Sequence, residues 1–466
     1  MCMKKYITIL AVASIAFTSC NKEWTETESK ASKFEEVALS DLREKRDNAK
    51  WQAEAERTEE NRRVLDAYWA QLREYKQKAW LNTGEEGGQV PMVYYWFDGS
   101  SWKAANGIAR GWLQSVPDSV TAVSIWGGLG GLHPKDLDAN RKKDAEIFQK
   151  KGGAILMCWQ TPSVGTSLPG KKGDEKSNGH KYFREKYPFS ENYAQWPQIY
   201  ARELSRYIIA LGFDGYDVDW ETCGDHGSVS EEGTPLMISK NNYENIANFV
   251  KEMAKYFGPV GEHHHVKTQA EREANLKALF DASTKGFHPN EKEFIDDFKP
   301  YVPSDYLTRR YYFCADVPCG VAPIFGNNSQ TPLLIADNPF AIYFDKHFMQ
   351  DYTRNGVNTS GAFPPMLGGP SYNSTSANFQ AGGFSVMIGK GKDVRARKVW
   401  GLGAYHGQSD FPVTSESDAN FKKYLQENNL KRKYLHYAWT REAIRIADPR
   451  PDYSGYVEKE PYIITP

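Results

Sequence analysis

The sequence has no excess of charge of either sign, few cysteines and no membrane-length apolar run. Lysine and arginine number 58 against 59 aspartates and glutamates in 466 residues, so a basic nucleic-acid surface is not indicated. No pair among the 6 cysteines has zinc-site spacing. Cys314 and Cys319 are close enough to form a small disulfide, and two isolated buried thiols are the alternative. We therefore expect no nucleic-acid partner, metal or cofactor.

Two short motifs lack the context of a ligand site. The run Gly127-Gly128-Leu129-Gly130-Gly131 is followed by neither a P-loop lysine nor a dinucleotide fingerprint, so it is interpreted as a loop after a strand. The histidines 263–265 lie in a polar stretch typical of an exposed loop. Metal chelation is the alternative for these histidines.

Residues 1–20 have the parts of a secretory signal. Lys4 and Lys5 precede a short apolar run, and small residues stand directly before Cys20. This end resembles a bacterial lipoprotein signal, in which Cys20 is lipidated, and an ordinary signal peptide is the alternative. The resemblance implies a lipid anchor in a bacterial membrane, with the protein in the cell envelope at the outer membrane or cell surface.

Residues 21–87 form a charged segment with apolar residues at helical spacing. We expect one or two amphipathic helices that act as a tether and pack loosely on the body of the protein; a partner-binding helix is the alternative. A glycine-rich break at Thr83 to Gly88 marks the boundary. The body is expected at 88–447, followed by a tail at 448–466.

Within the body, buried-looking strands alternate with helices, which indicates βαβ units and a parallel sheet. Eight strands suit an α/β fold of the (β/α)8 TIM barrel type. The expected strands are Val90 to Phe97, Thr121 to Trp126, Ala154 to Trp159, Leu211 to Glu221, Tyr311 to Ala315, Tyr343 to Tyr352, Pro364 to Gly368 and Lys398 to Tyr405. The expected helices are Lys135 to Lys151, Ser190 to Leu211, Asn241 to Phe257, a helical insertion at 261–299, and a closing helix Asp418 to Ala447.

The fourth of these strands carries three acids on one face. Because side chains alternate along a strand, Asp217, Asp219 and Glu221 point the same way. Like charges at this spacing resist ionising together, so we expect at least one raised pKa and a carboxyl group able to donate a proton near neutral pH.

The stretch Asp214-Gly215-Tyr216-Asp217-Val218-Asp219-Trp220-Glu221 matches the DGxDxDxE signature of glycoside hydrolase family 18 at every fixed position. The sequence therefore resembles the chitinases and endo-β-N-acetylglucosaminidases of that family. The resemblance implies a (β/α)8 barrel with the motif on its fourth strand. It also implies retaining hydrolysis in which the substrate's 2-acetamido oxygen replaces an enzyme nucleophile.

The resemblance assigns roles by position. Glu221 is the general acid and later the base, Asp219 orients and stabilises the acetamido group, and Asp217 lies behind it and shares its proton. A tyrosine on the sixth strand steadies the acetamido oxygen, which implies Tyr352, with nearby Tyr343 and an ordinary core tyrosine as alternatives.

Aromatic side chains are candidates for sugar stacking. Trp400 on the last strand is expected to form the floor of the sugar site, with Trp96, Trp159 and Gln160 as further substrate contacts. A core position is the alternative for each tryptophan.

Two departures from the family pattern argue against chitin as substrate. The third strand reads Leu156 to Gln160 instead of SxGG, and Thr222-Cys223-Gly224 follows the acid where many chitinases have Tyr-Pro. We expect a monomeric endo-β-N-acetylglucosaminidase that cleaves β-1,4 linkages in the chitobiose core of N-glycans, with a glycan or glycoprotein as its partner. A chitinase acting on oligomers and a non-catalytic glycan-binding lipoprotein are the alternatives.

Overall fold

The computed structural model describes a barrel and the helices around it. The described residues are 59–82, 90–102, 111–160, 164–174, 177–219, 243–261, 266–318, 334–335, 338–350, 352, 373–396, 399–411, 415–430 and 437–447.

Eight parallel strands form one sheet that curls into a nearly closed barrel, which confirms the expected (β/α)8 fold. Around the sheet the order is β6-β5-β4-β3-β2-β1-β8-β7, so the last strand pairs with the first and β7 pairs with β8. The strands are β1 Met92–Asp98, β2 Ala122–Trp126, β3 Ala154–Gln160, β4 Gly215–Asp219, β5 Tyr312–Pro318, β6 Lys346–Gln350, β7 Asn373–Asn378 and β8 Val399–Tyr405.

Ten helices of eight or more residues accompany these strands in the described part of the chain. They are α1 Glu59–Leu81, α2 Ala139–Lys150, α3 Gly179–Lys186, α4 Trp196–Ala210, α5 Tyr243–Met253, α6 Gln269–Leu279, α7 Glu291–Phe298, α8 Val386–Arg395, α9 Ser415–Glu427 and α10 Ala438–Ala447. The single closing helix expected from Asp418 to Ala447 is wrong, because α9 and α10 are separate helices. In the described residues no helix combines the length and apolar character needed to cross a membrane.

The turn into β4 fixes where the acid motif lies. Helix α4 ends before Gly212, whose φ of 75° places it in the left-handed region that glycine tolerates. Asp214 then accepts hydrogen bonds from the Ile155 amide at 2.9 Å and from Gln149 Nε2 at 2.8 Å. At Gly215 a Cβ atom would lie 1.9 Å from the Tyr312 carbonyl oxygen. The first two residues of the motif therefore serve the packing of β4 between β3 and β5.

The seventh strand is where the sequence prediction failed. We expected Pro364 to Gly368, which lies outside the described residues, and the structure uses Asn373–Asn378 instead. This strand is polar, and its serines bond to β6 across the seam of the barrel. The Met349 amide donates to Ser374 Oγ at 2.9 Å, and Ser376 Oγ donates to the Met349 carbonyl at 2.5 Å. Hydroxyl groups here replace ladder hydrogen bonds, so apolar periodicity gives no signal for this strand.

Helix α1 packs against the N-terminal end of the barrel. Its buried side chains include Leu72 and Ala79, and Trp80 stacks on Tyr312 of β5 at 3.9 Å between ring centroids. Just beyond the helix, Asn82 Nδ2 donates to the Val90 carbonyl at 2.8 Å and to the Trp400 carbonyl at 2.9 Å. This part of the segment 21–87 therefore packs closely on the barrel, and the expectation of loose packing is wrong for it. A tethering role stays a prediction.

Candidate active site

Three buried carboxyl groups meet near the C-terminal end of the barrel. Asp217 and Asp219 lie on one face of β4, and Asp219 is in register with Asp316 on β5. Their exposed fractions are 0%, 2% and 1%, respectively. Since catalytic groups of (β/α)8 barrels collect at this end of the strands, the cluster marks the candidate active site.

Asp217 is the deepest member of the β4 pair. Its Oδ2 accepts hydrogen bonds from Ser124 Oγ at 2.7 Å and from Trp96 Nε1 at 3.1 Å. Its Oδ1 is buried without a hydrogen-bond partner among the described residues. Burial raises the pKa of Asp217 to about 7, and the nearby Asp219 charge adds to the rise while the Ser124 hydrogen bond opposes it. Asp217 can therefore hold a proton near neutral pH.

Asp219 occupies the last position of β4 and accepts hydrogen bonds from two other strands. Trp126 Nε1 donates to its Oδ2 at 3.3 Å, and Gln350 Nε2 donates to its Oδ1 at 3.1 Å. Trp126 and Gln350 end β2 and β6. Donors on both oxygens orient the carboxyl group.

Asp316 adds a third carboxyl group that sequence reasoning did not find. Gln350 Nε2 donates to its Oδ1, so one amide nitrogen bridges Asp316 and Asp219. Cys158 Sγ lies 3.3 Å from Asp316 Oδ2. Burial raises the pKa of Asp316 well above its ordinary value, and the charges of Asp219 and Asp217 add to that rise.

One donor atom each from Cys158, Asp217 and Asp316 lies within 4.8 Å of the others, close enough to hold a metal ion. Burial and the neighbouring carboxylates raise the pKa of the Cys158 thiol well above its ordinary value. A thiol must lose its proton to ligate a metal, so this environment disfavours the metal-bound form. The histidines 263–265 lie outside the described residues.

Aromatic side chains border the acids. Trp126 packs against Trp159 at 5.5 Å and against Tyr405 at 5.3 Å between centroids. Tyr352 lies 5.8 Å from Tyr405 and edge-on to Trp96 at 6.1 Å. Trp126, Trp159, Tyr352 and Tyr405 are partly exposed, so flat apolar faces are available beside Asp219.

The structure brings several of the predicted site residues together. Asp217, Asp219, Trp96 and Tyr352 lie in one region, with Trp159 at its border. Tyr343 precedes β6 and therefore lies toward the opposite end of the barrel from Tyr352. Glu221, the side chain of Gln160 and Cys20 lie outside the described residues. The roles given to these residues stay predictions.

Trp400 does not lie where a sugar-site floor was expected. It is the second residue of β8, at the N-terminal end of the barrel, and it is 6% exposed. Its ring lies 4.6 Å from Lys346 Nζ, and Lys346 is the first residue of β6. The expectation for Trp400 therefore does not fit its position, and Tyr405 is the residue of β8 that reaches the acid end.

The residues that sequence reasoning missed are Asp316, Gln350, Trp126 and Ser124. Each is a polar or amphipathic residue at or near the C-terminal end of a predicted strand. That position was readable from the sequence for Trp126 and Asp316, because β2 and β5 were placed nearly correctly. Which of them contact Asp219 depends on strand order and register, which local periodicity does not give.

The comparison with protein families gives a match across the motif. The family model described as glycoside hydrolase family 18, BT1044-like, matches residues 48–266. Over this segment, which is just under half of the chain, the sequence is similar to glycoside hydrolase family 18. The match covers α1, the first four barrel strands and the acid motif. No curated protein matches the sequence.

Solved structures resemble this chain only distantly. A selenomethionine form of BT1044 with a Glu-to-Gln substitution is 18% identical, with coverage of 85% of this chain and 95% of that chain and a TM-score of 0.49. An endo-β-N-acetylglucosaminidase from Cordyceps militaris is 12% identical, with coverage of 82% and 96% and a TM-score of 0.32. A GH18 chitinase from Pseudoalteromonas aurantia is 12% identical, with coverage of 72% and 99% and a TM-score of 0.31. The similarity to family 18 rests on the matched segment and its motif.

Proposed function

We propose that this protein is an endo-β-N-acetylglucosaminidase that hydrolyses the β-1,4 linkage in the chitobiose core of N-glycans. The proposal includes a monomeric protein anchored in a bacterial envelope through lipid on Cys20. The observation that carries the catalytic part is the buried pair Asp217 and Asp219, held by four donors from three other strands and followed by Glu221 in the sequence.

The pair suits a reaction in which the substrate supplies the nucleophile. Glu221 protonates the leaving oxygen while the 2-acetamido oxygen attacks the anomeric carbon, and Glu221 then takes a proton from the attacking water. The carboxylate of Asp219 faces the acetamido N–H and stabilises the positive charge that develops there. Asp217 holds a proton behind Asp219, so the two groups do not carry adjacent full charges.

The aromatic border supports a sugar as substrate. Partly exposed faces of Trp159 and Tyr405 lie on either side of Trp126, whose indole N–H donates to Asp219. Aromatic faces pack against the apolar faces of pyranose rings, while the acids bind the polar edge. An acetamido sugar therefore suits the described side chains better than a small charged metabolite.

Two other functions remain candidates. The departures after β3 and after Glu221 argue against chitin, but a chitinase would use the same acids. A non-catalytic glycan-binding protein on the same barrel would have no need of a general acid, so Glu221 and the proton-sharing pair favour the hydrolase.

The test is release of glycans from high-mannose and complex glycoproteins and of sugars from chitin oligomers. We expect the wild type to act on at least one glycoprotein and Glu221→Gln to be slower by about 10²–10⁴-fold, the usual loss when a general acid is removed. The matched control is Glu185→Gln, which makes the same change at an exposed position on α3 and should leave the rate unchanged. Tight glycan binding by the wild type without any product would establish the non-catalytic function instead.

A further inference from the structure

The hydrogen bonds of the carboxyl cluster cannot keep all three carboxyl groups ionised at the same time. Asp217, Asp219 and Asp316 are all nearly inaccessible to solvent. The hydrogen-bond donors described for them are indole, hydroxyl, amide and thiol groups, and none of these is charged. Three carboxylates with only neutral donors would repel one another strongly in a low-dielectric interior. The cluster therefore retains protons near neutral pH.

The partners of each carboxyl group decide which one can hold a proton well. Asp219 accepts N–H groups of Trp126 and Gln350 on its two oxygens, and these groups can only donate. Protonation of either oxygen would weaken one of those bonds, because a protonated oxygen is a poorer acceptor than a carboxylate oxygen. The described partners of Asp219 therefore favour a side chain that only accepts hydrogen bonds.

Asp316 differs because one of its partners can reverse its role. Its Oδ1 accepts from Gln350, but its Oδ2 lies 3.3 Å from Cys158 Sγ, which can either donate through S–H or accept through a sulfur lone pair. A proton on Oδ2 therefore has an acceptor, and the Gln350 bond to Oδ1 is kept. Asp217 can hold a proton as well, because the Ser124 hydroxyl at its Oδ2 can accept as well as donate and Cys158 also bonds to its side chain.

We propose that Asp316 is a positioning residue that holds a proton between its Oδ2 and Cys158 Sγ and so leaves Asp219 as the ionised carboxylate. The catalytic part of this inference rests on the proposed hydrolase function. Asp316 acts through Gln350, whose Nε2 reaches both carboxyl groups and fixes the orientation of Asp219. Loss of the Asp316 proton would place a second charge beside Asp219 and weaken its role toward the acetamido group.

The proton itself is detected without any substrate. The infrared carbonyl stretch of protonated carboxylic acids is recorded about one to two pH units above the pKa of about 7 of Asp217, where the contribution of Asp217 has largely disappeared. We expect a protonated-acid band in the wild type, loss of that band in Asp316→Asn, and a shift of the band in Cys158→Ala. An undiminished band in Asp316→Asn would overturn the proposal.

Cys314→Ala is the matched control for disturbance of the strand. Cys314 is buried on β5 two residues before Asp316 and has no carboxyl hydrogen bond in the described contacts. Its replacement should keep the infrared band. A band lost in this variant as well would show that perturbing β5, and not removing the Asp316 proton, abolishes the signal.

Kinetics test the positioning role. Asparagine at 316 can accept from Gln350 and donate to Cys158 as the protonated acid does, so Asp316→Asn should keep kcat within about threefold and move the alkaline limb of the pH profile upward. Asp316→Val cannot hold Gln350 and should lower kcat at least tenfold with KM little changed. Equal loss in both variants, or a wild-type pH profile in Asp316→Asn, would contradict the role.

The two parts of the experiment separate the two proposals. If the wild type forms no product on any glycan, the hydrolase function fails, but the infrared comparison still decides whether Asp316 holds the proton. If the wild type is active and the infrared band survives in Asp316→Asn, the hydrolase function stands and the inference about Asp316 fails.

Discussion

At the scale of single residues, the candidate site is a balance between buried charge and hydrogen bonds. Ser124 and Trp96 converge on one oxygen of Asp217 and leave the other without a described partner. A buried polar atom without a partner costs free energy, about 1–3 kcal/mol in typical proteins. Asp217 is therefore expected to lower the stability of the fold, while it provides the proton held behind Asp219.

This cost can be measured through its pH dependence. The pKa of Asp217 is raised from 3.8 to about 7, so between these values the folded protein keeps a proton that the unfolded chain has released. The Asp217 contribution to stability is present below this window and is lost as the pH rises through it. Asp217→Asn keeps an oxygen for Ser124 and Trp96 but never ionises. Its stability relative to wild type should therefore rise by about 4 kcal/mol from about pH 4 to about pH 8.

Chemical denaturation at several pH values makes the comparison. Asp305→Asn is the control for removal of an aspartate charge, because its side chain is 54% exposed and an exposed ion pair contributes little to stability. A pH-independent difference for Asp217→Asn would show that this carboxyl group does not hold the proton assigned to it.

At the scale of elements, strand β7 shows how a polar sequence closes a barrel. Ser374 Oγ accepts from the Met349 amide and from the Tyr94 hydroxyl, both at 2.9 Å. The next residue, Thr375, is equally buried, but its hydroxyl has no hydrogen-bond partner in the described part of the chain. Adjacent hydroxyl groups on one strand thus have opposite energetic roles.

Two substitutions in β7 test this difference. Ser374→Ala removes the acceptor of the Met349 amide and the hydroxyl that donates to the His347 carbonyl, and should lower the free energy of unfolding by about 2–4 kcal/mol. Thr375→Val removes only an unpaired hydroxyl at nearly constant volume and should be neutral or stabilising. Urea denaturation of both variants gives the comparison, and equal losses would mean that the seam does not depend on the Ser374 hydrogen bonds.

At the scale of the whole molecule, α1 is part of the barrel and not only a lead to it. Its buried face covers the N-terminal end of the sheet. Asn82, just after the helix, donates through Nδ2 to the carbonyl of Val90 next to β1 and to that of Trp400 in β8. Lys346 Nζ of β6 donates to the Asn82 carbonyl at 2.6 Å. The matched family segment also begins before this helix.

The contribution of α1 to the stability of the fold can be measured at Leu72, whose side chain is 1% exposed. Leu72→Ala removes a buried side chain and should lower the free energy of unfolding by about 2–5 kcal/mol. Asp66→Ala on an exposed position of the same helix should change it by less than about 0.5 kcal/mol. Equal and small effects of both in guanidinium denaturation would show that α1 behaves as a detached tether.

The sequence by itself determined seven of the eight barrel strands and the place of the acid motif on the fourth. These features are local, because apolar runs, glycine breaks and alternation along a strand are visible within about ten residues. It also indicated that Asp217 and Asp219 share a face and that one of them has a raised pKa, since alternation and charge repulsion need no other part of the chain.

Only the tertiary structure decided which distant residues complete the site. Asp316, Gln350 and Trp126 reach Asp219 because their strands are neighbours or face each other across the barrel, and no local pattern encodes that register. The same reason explains why Trp400, correctly assigned to the last strand, lies at the wrong end of it for a sugar site. Strand β7 remained hidden because its partners are serine hydroxyls bonded to β6, a pairing that exists only once the barrel has closed.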